Sequence, residues 1–255
     1  MDANTQEKQD QAFISAPETK FDYDSIETGY YDRVFQRCKG SQSKWHHLKF
    51  SNVREHLSDC HEHLDIGCGP GTFLGTLDSD KTSVGVDISK PQIDYADKTY
   101  SSATKIFLTI KPGESLPFAD GRFDCVTLIE LIEHISRNDA LELFAEARRV
   151  LKPGGRLILT TPNYGSLWPL IEKVVDAVSK LSYKDQHIEL YTKNNLFQLL
   201  KEAGFSDVNV GSFLWSGPFW AAINWKLSDA INNLEQKIFN GHGGLLLIGE
   251  GKRSK

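Results

Sequence analysis

The chain has 255 residues, 40% of them hydrophobic and 25% charged, a balance that lets a soluble globular protein bury a core. Its formal net charge of −5 argues against a dedicated nucleic-acid binder, DNA included, because such proteins carry a basic excess or a basic face. Cys38, Cys60, Cys68 and Cys125 form no C-x-x-C pair, the N-terminus has no apolar h-region, and no run reaches the ~18 apolar residues of a membrane helix, so reduced thiols in a soluble cytoplasmic protein are expected.

Residues 1–20 are polar and aperiodic, and read as a disordered tail. Residues 21–255 read as a single domain, since neither a repeat nor a flexible linker divides them. Within 21–60, "GYYDRVF" and "SKWHHLKFSNVREHL" have helical spacing and form a helical cap. From 61 to 165 short apolar runs alternate with helical patterns. "HLDI" is a strand before a glycine loop, "FLGTL" begins a helix, and "TSVGVDI" is a second strand. "KPQIDYADKTY" is a helix with Pro91 in its first turn. "KIFLTI" and "FDCVTLI" are strands, "ALELFAEARRVL" is an amphipathic helix stopped by Lys152-Pro153-Gly154-Gly155, and "RLILTT" is a fifth strand. The part from 166 onward holds substrate-side insertions and closing strands. A less regular stretch from Pro162 to Gln186 precedes the helix "NNLFQLLKEAGF" and two strands, "SDVNVGSF" and "GLLLIGEGK". Strands separated by helices imply βαβ units and a mostly parallel, doubly wound sheet.

"LDIGCGPGTFL" sets Gly67, Gly69 and Gly71 between a strand and a helix, with Asp65 two residues ahead. Glycines there permit a tight turn and close approach of a ligand to backbone at the helix N-terminus. The spacing is G-x-G-x-G rather than the dinucleotide G-x-G-x-x-G, and no Gly-Lys-Ser/Thr follows, which excludes a P-loop. Asp87 ends the next strand, where a carboxylate accepts hydrogen bonds from ribose hydroxyls; its plainer reading is a helix cap.

"LDIGCGPG", "VGVDIS", "ESLPFADGRFDCVTLIELIEHI" and "RVLKPGGRLILTTPN" follow one another as in the class I S-adenosylmethionine-dependent methyltransferases, which the chain resembles over residues 60–212. The resemblance implies a seven-stranded sheet with an antiparallel last strand and S-adenosylmethionine as cofactor. It assigns Asp65, Gly67, Gly69 and Gly71 to the amino-acid part of the cofactor, Asp87 to the ribose and Ile88 to the adenine. Many members carry an acid where Pro112 stands, so the further adenine contact falls to Glu114 or Ser115. Cys68 reads as a small loop residue with nothing beside it to activate a thiolate.

"ELIEHIS" follows the fourth strand and, as a helix, would project Glu130, Glu133 and His134 from one face. Methyl transfer from a sulfonium is an in-line displacement, so the protein aligns the acceptor and removes a proton. Two functional readings follow. His134 is a general base oriented by the glutamates, or Glu130, Glu133 and His134 bind Mg²⁺ or Mn²⁺ that polarises an acceptor hydroxyl. The third reading is a purely structural helix end. The E-x-x-E-H run is similar to that of ubiquinone-biosynthesis O-methyltransferases and of small-RNA 2′-O-methyltransferases, which favours the metal and names His187 in "KDQHIELYT" as a fourth ligand.

The aromatics Tyr30, Tyr31, Trp45, Trp215, Phe219 and Trp220 are candidates to wall an apolar small-molecule acceptor, and each taken singly suits a core. "SGPFWAAINW" is unusually apolar for a connection between edge strands, which suggests a lid, a lipid-like acceptor or a membrane-surface contact. His46 and His47 are rival bases. The leading expectation is O-methylation of a quinone precursor, lipid-like or glycan hydroxyl, with an RNA 2′-hydroxyl as the rival acceptor. An NAD-dependent oxidoreductase lacks its glycine fingerprint here, and a non-catalytic cofactor-binding or scaffolding relic would be favoured by a pocket without its acids, whereas Asp65 and Asp87 are both present.

Overall fold

Buried apolar runs and capped helices alternate along the chain, and a computed structural model describes them for residues 27–178 and 187–254, the side chains of 174–178 excepted. The expected tail at 1–20 lies outside the described residues. Helices α1 (Tyr30–Gln36) and α2 (Gly40–Glu55) form the cap. Strand β1 (Glu62–Ile66) leads through the glycine loop into α3 (Thr72–Gly75), a helix of four residues only. β2 (Thr82–Asp87), α4 (Lys90–Tyr100) and β3 (Lys105–Thr109) follow, with Pro91 in the first turn of α4 as expected. After β4 (Phe123–Ile129), Ser136 caps α5 (Arg137–Val150) by accepting from the Asp139 N–H at 3.2 Å. Such a cap contributes about 1 kcal/mol.

β5 (Leu151–Pro162) begins directly where α5 ends, so the Lys152–Gly155 turn is a bulge inside the strand rather than a separate loop. Its pairing with β4 jumps from Phe123↔Leu151 to Cys125↔Arg156 across that turn. The stretch expected to be irregular contains α6 (Trp168–Val178), and residues 179–186 are not described. A capping box of Thr192 and Asn195 starts α7 (Lys193–Glu202). β6 (Phe205–Phe213), α8 (Gly217–Trp220), α9 (Trp225–Phe239) and β7 (Leu246–Arg253) complete the chain.

The seven strands lie in the order β3-β2-β1-β4-β5-β7-β6, with β1 to β5 parallel and β7 antiparallel to both its neighbours. Alternation along the strands divides the core between the two sheet faces. Leu157 and Leu159 of β5 pack with Leu143 and Phe144 of α5 and with Leu196 and Leu200 of α7, whereas Ile158 packs with Phe50 and Val53 of α2. The chain leaves β1 toward β2 and β3 and returns to β4 on the other side. That reversal opens a crevice beyond the carboxyl ends of β1 and β4, where ligands of such sheets bind. Among the described residues no helix is long and apolar enough to cross a membrane.

Candidate active site

The three loop glycines all have positive φ, 75°, 50° and 74° at Gly67, Gly69 and Gly71. A Cβ at Gly71 would lie 2.7 Å from Phe107 and 2.9 Å from Ala96, so close packing of loop on sheet requires glycine there. At Gly69 a Cβ would meet nothing within 4 Å, which makes this the side of the loop that is open to a ligand. Asp87 organises the loop: its Oδ2 accepts from the Gly69 N–H at 2.8 Å and its Oδ1 from the Ser89 N–H at 2.8 Å. The helix-cap reading of Asp87 is not met, because Ser89 holds the N-cap position of α4; the Asp87 carboxylate instead ties the glycine loop to the end of β2. Ile88, next along, is 48% exposed, an apolar side chain presented at the mouth of the crevice.

Asp65 is buried, and burial raises its carboxyl to about 7, offset in part by the Thr127 hydroxyl that donates to Oδ1 at 2.6 Å. That donation fixes the rest of a buried chain. With its own proton given to Asp65, the Thr127 oxygen accepts from His63 Nε2 at 2.8 Å, and His63 Nδ1 then accepts from Ser83 Oγ at 3.3 Å. Burial holds His63 down to about 3, so the ring stays neutral. His63 and Asp65 share a face of β1, and the register places Ser83 beside His63 and Thr127 beside Asp65. Sequence reasoning identified Asp65 but missed His63, Ser83 and Thr127. Cys68 is buried above this row; burial, Asp87 and Asp65 push its thiol well up, as expected of a structural residue.

Of the residues assigned to the adenine, Glu114 is exposed and pairs with Lys111 at 3.1 Å, and Ser115 is exposed beside it. The residues present suit S-adenosylmethionine: an acid and an open glycine loop for its amino-acid part, Asp87 for the ribose and Ile88 for the adenine.

Across the crevice, "ELIEHIS" is not a helix. Glu130 has φ 53° and its N–H still donates to Thr160 O at 3.1 Å, so it ends the strand ladder and turns the chain. A 3-10 turn, Ile132–His134, follows, and α5 begins only after Ser136. Glu130, Glu133 and His134 consequently do not share one face of a helical turn. Glu130 accepts from Thr160 Oγ1 at 3.0 Å and faces Lys49 Nζ at 3.7 Å, a buried cation from the cap. Glu133 is buried and accepts from Thr161 Oγ1 at 2.9 Å. Burial, and then the charge of Glu130, holds the Glu133 carboxyl well above the ordinary range.

His187 returns to this point from far along the chain, because the Ile188 and Glu189 N–H groups both donate to Glu133 O, at 2.8 and 3.2 Å. The ligand atoms of Glu133, His134 and His187 all lie within 4.8 Å of one another; Glu130 is outside this group. Behind His187, Glu172 Oε1 accepts from the Tyr164 hydroxyl at 2.7 Å and lies 2.8 Å from His187 Nδ1. A carboxylate on Nδ1 places the proton there and makes Nε2 the ligand nitrogen, the usual support of a metal-binding imidazole. One carboxylate and two imidazoles suit Mn²⁺ or Zn²⁺ at least as well as Mg²⁺. Glu172, Tyr164 and Thr161 were not singled out from the sequence, and Lys49, which the sequence places with Lys39, Lys44, His46, His47 and Arg54 on a solvated helix face, is buried, as is Lys44.

The other candidates divide into two places. His46 lies edge-on to Tyr31 at 5.8 Å, and burial together with Lys49 holds it well below the ordinary imidazole range. His47 stacks on Phe35 at 3.9 Å and bonds its carbonyl, a packing role. Trp45 packs on Trp168 at 5.4 Å, joining the cap to α6. Trp215 stacks on Phe239 at 5.3 Å, and Phe219 and Trp220 are exposed on α8, so these three belong to the α8–α9 unit.

The Methyltransferase domain family matches residues 64–159, the span from β1 through β5. An uncharacterized protein of Methanocaldococcus jannaschii is 30% identical over 185 residues, 72% of this chain and 79% of that one. The ubiquinone biosynthesis O-methyltransferase of Cereibacter sphaeroides is 28% identical over 174 residues, 65% of this chain and 67% of that one. A SAM-dependent methyltransferase structure from Thermotoga maritima superposes with a TM-score of 0.63 at 20% identity, over 88% of this chain and 94% of that one. Across the first four relatives matched, the chain spans from 31% to 87% of their length. The chain belongs to the class I S-adenosylmethionine-dependent methyltransferases. It is an enzyme of methyl transfer that uses S-adenosylmethionine.

Proposed function

We propose that this methyltransferase acts on a hydroxyl of a small, apolar acceptor of the quinone-precursor type, with a divalent cation held by Glu133, His134 and His187. The observation that carries the reading is the convergence of those three side chains, 4.8 Å or less between ligand atoms, at the strand end beside the glycine loop. S-adenosylmethionine supplies the sulfonium methyl group, and a bound cation lowers the pKa of the acceptor hydroxyl. The chain's own part is to orient and to neutralise. Glu172 and Tyr164 fix the His187 ring, and Thr161 fixes the Glu133 carboxyl. Lys49 offsets the charge of Glu130. The similarity to a ubiquinone biosynthesis O-methyltransferase supports an aromatic hydroxyl as the acceptor, and the net charge of −5 counts against RNA.

A metal-free base at His134 is the second reading, favoured by the 3.9 Å separation of its Nε2 from Glu133 Oε1. The test is calorimetry with S-adenosylmethionine and S-adenosylhomocysteine, followed by methylation of a catechol or hydroquinone acceptor with Mn²⁺, with Mg²⁺ and with a chelator. Binding of both compounds and activity abolished by the chelator are expected. Full activity in the chelator would transfer the role to His134 as base, and absence of cofactor binding would overturn both readings.

A further inference from the structure

Helix α9 carries its polarity the wrong way round for a surface helix. Several of its polar side chains turn inward: Ser228 Oγ donates to Gly217 O at 2.7 Å, Asp229 pairs with Lys44 at 2.5 Å, and Glu235 accepts from the N–H groups of Ser216 and Gly217 at 3.0 and 2.9 Å. Trp225 packs inward on His47 at 5.4 Å, but the larger aliphatic side chains turn outward. Leu227, Leu234 and Ile238 recur at i, i+7 and i+11 on one face and are exposed, Leu234 at 56% and Ile238 at 63%. Ile223, just ahead of the helix, is 75% exposed, and Phe219 and Trp220 of the neighbouring α8 are exposed as well. A soluble monomer rarely leaves so many large apolar side chains on one unit uncovered.

We propose that the α8–α9 face docks on an anionic lipid bilayer. The charges decide the occupant. Both acids of α9 are drawn inward to Lys44 and to the α8 N-terminus, whereas Lys226 and Lys237, both exposed, stand on one flank of the stripe, eleven residues or about three turns apart. Lysines beside an apolar stripe reach lipid phosphates while the stripe enters the acyl boundary. Lys39 adds a further exposed cation two residues before Ser41, whose hydroxyl bonds Phe219 O at 3.3 Å. A second copy is the poorer fit, because antiparallel self-pairing through this stripe would bring the lysines of both copies onto one flank. The face is also joined to the chemistry: the Lys44–Asp229 pair ties α9 to α2, the helix that carries Lys49 to Glu130. The surface would thus set the acceptor crevice close to a lipid phase, and its existence does not depend on the acceptor or the cation.

The test is co-sedimentation of the full chain with phosphatidylcholine vesicles, with and without phosphatidylglycerol. Binding to the anionic vesicles and much weaker binding to the neutral ones are expected. Leu234→Glu/Ile238→Glu should lower partitioning by roughly a hundredfold, and Lys226→Glu/Lys237→Glu by about tenfold or more, as should high salt. All four positions are exposed, so S-adenosylmethionine affinity should stay at the wild-type value and report an intact fold. Absence of vesicle binding by the wild type, wild-type binding by either double variant, or a stable dimer that Leu234→Glu/Ile238→Glu dissolves would overturn the proposal.

Discussion

Beyond β1 the half of the crevice proposed to hold the cofactor is made largely of backbone, whereas beyond β4 the half proposed for the acceptor is made of side chains from five separate stretches. On the first side, three glycines in left-handed conformations and one carboxylate that caps two N–H groups shape the surface. On the second, Lys49 comes from the cap, Glu130 to His134 from the β4 end, Thr160 and Thr161 from β5, Glu172 from α6, and His187 from the segment before α7. A backbone site tolerates few changes of conformation but depends little on distant residues. A side-chain site is held by many weak supports, and its chemistry can change without disturbing the sheet. The two halves should therefore fail in different ways.

The largest expected effect is at the loop. Gly71→Val combines a positive φ with a Cβ 2.7 Å from Phe107, and should destabilise the chain by about 3 kcal/mol or more. Denaturant unfolding measures it; a variant of wild-type stability that still binds S-adenosylmethionine would mean that the backbone does not define this half. Next is Glu172→Gln, which weakens the support of His187. Divalent cation affinity should fall roughly 10- to 100-fold, while S-adenosylmethionine affinity measured by calorimetry should stay within about twofold. Equal losses of both would show the halves to be one cooperative site.

A smaller effect separates the two members of the buried row under the loop. The folded chain keeps a proton on Asp65 up to about 7, so this carboxyl's contribution to stability is complete below its unfolded pKa near ~4 and fades as pH rises to 7. His63 acts oppositely. Its folded pKa lies at about 3, so stability is lost as pH falls from the unfolded value near ~6.5. In the wild type the two slopes offset each other. Asp65→Asn should leave stability rising with pH over this window and His63→Asn should leave it falling, each by up to ~1.4 kcal/mol per pH unit. Parallel slopes in chemical denaturation of the two variants would contradict the buried row. Smallest is Ile88→Ser, which at 48% exposure should cost less than about 1 kcal/mol in stability yet weaken S-adenosylmethionine several-fold.

How much could be read from the sequence follows the same division. Gly67, Gly69 and Gly71 were legible because a tight turn between strand and helix needs residues that accept positive φ, whereas Asp87 was named from its place at the end of the next strand and Asp65 through resemblance. The sheet was legible too, since buried parallel strands write themselves as apolar runs. His63 was not, because its role depends on the register that sets Ser83 and Thr127 beside β1. Helix α6 was lost in a stretch opened by Pro162 and Pro169, and Glu172 was lost with it. The helical reading of "ELIEHIS" failed because the Glu130 N–H keeps its strand partner, Thr160 O, and a left-handed residue then redirects the chain. His187 was named through resemblance, and its support by Glu172 and Tyr164 came only with the fold.

The most direct test of the acceptor half is calorimetric titration of Mn²⁺ into the S-adenosylmethionine-loaded protein, wild type against Glu133→Gln/His187→Ala. One saturable site in the wild type and none in the double variant, with cofactor affinity retained in both, is the predicted result. Equal Mn²⁺ binding by the two proteins, or no binding by the wild type, would contradict it.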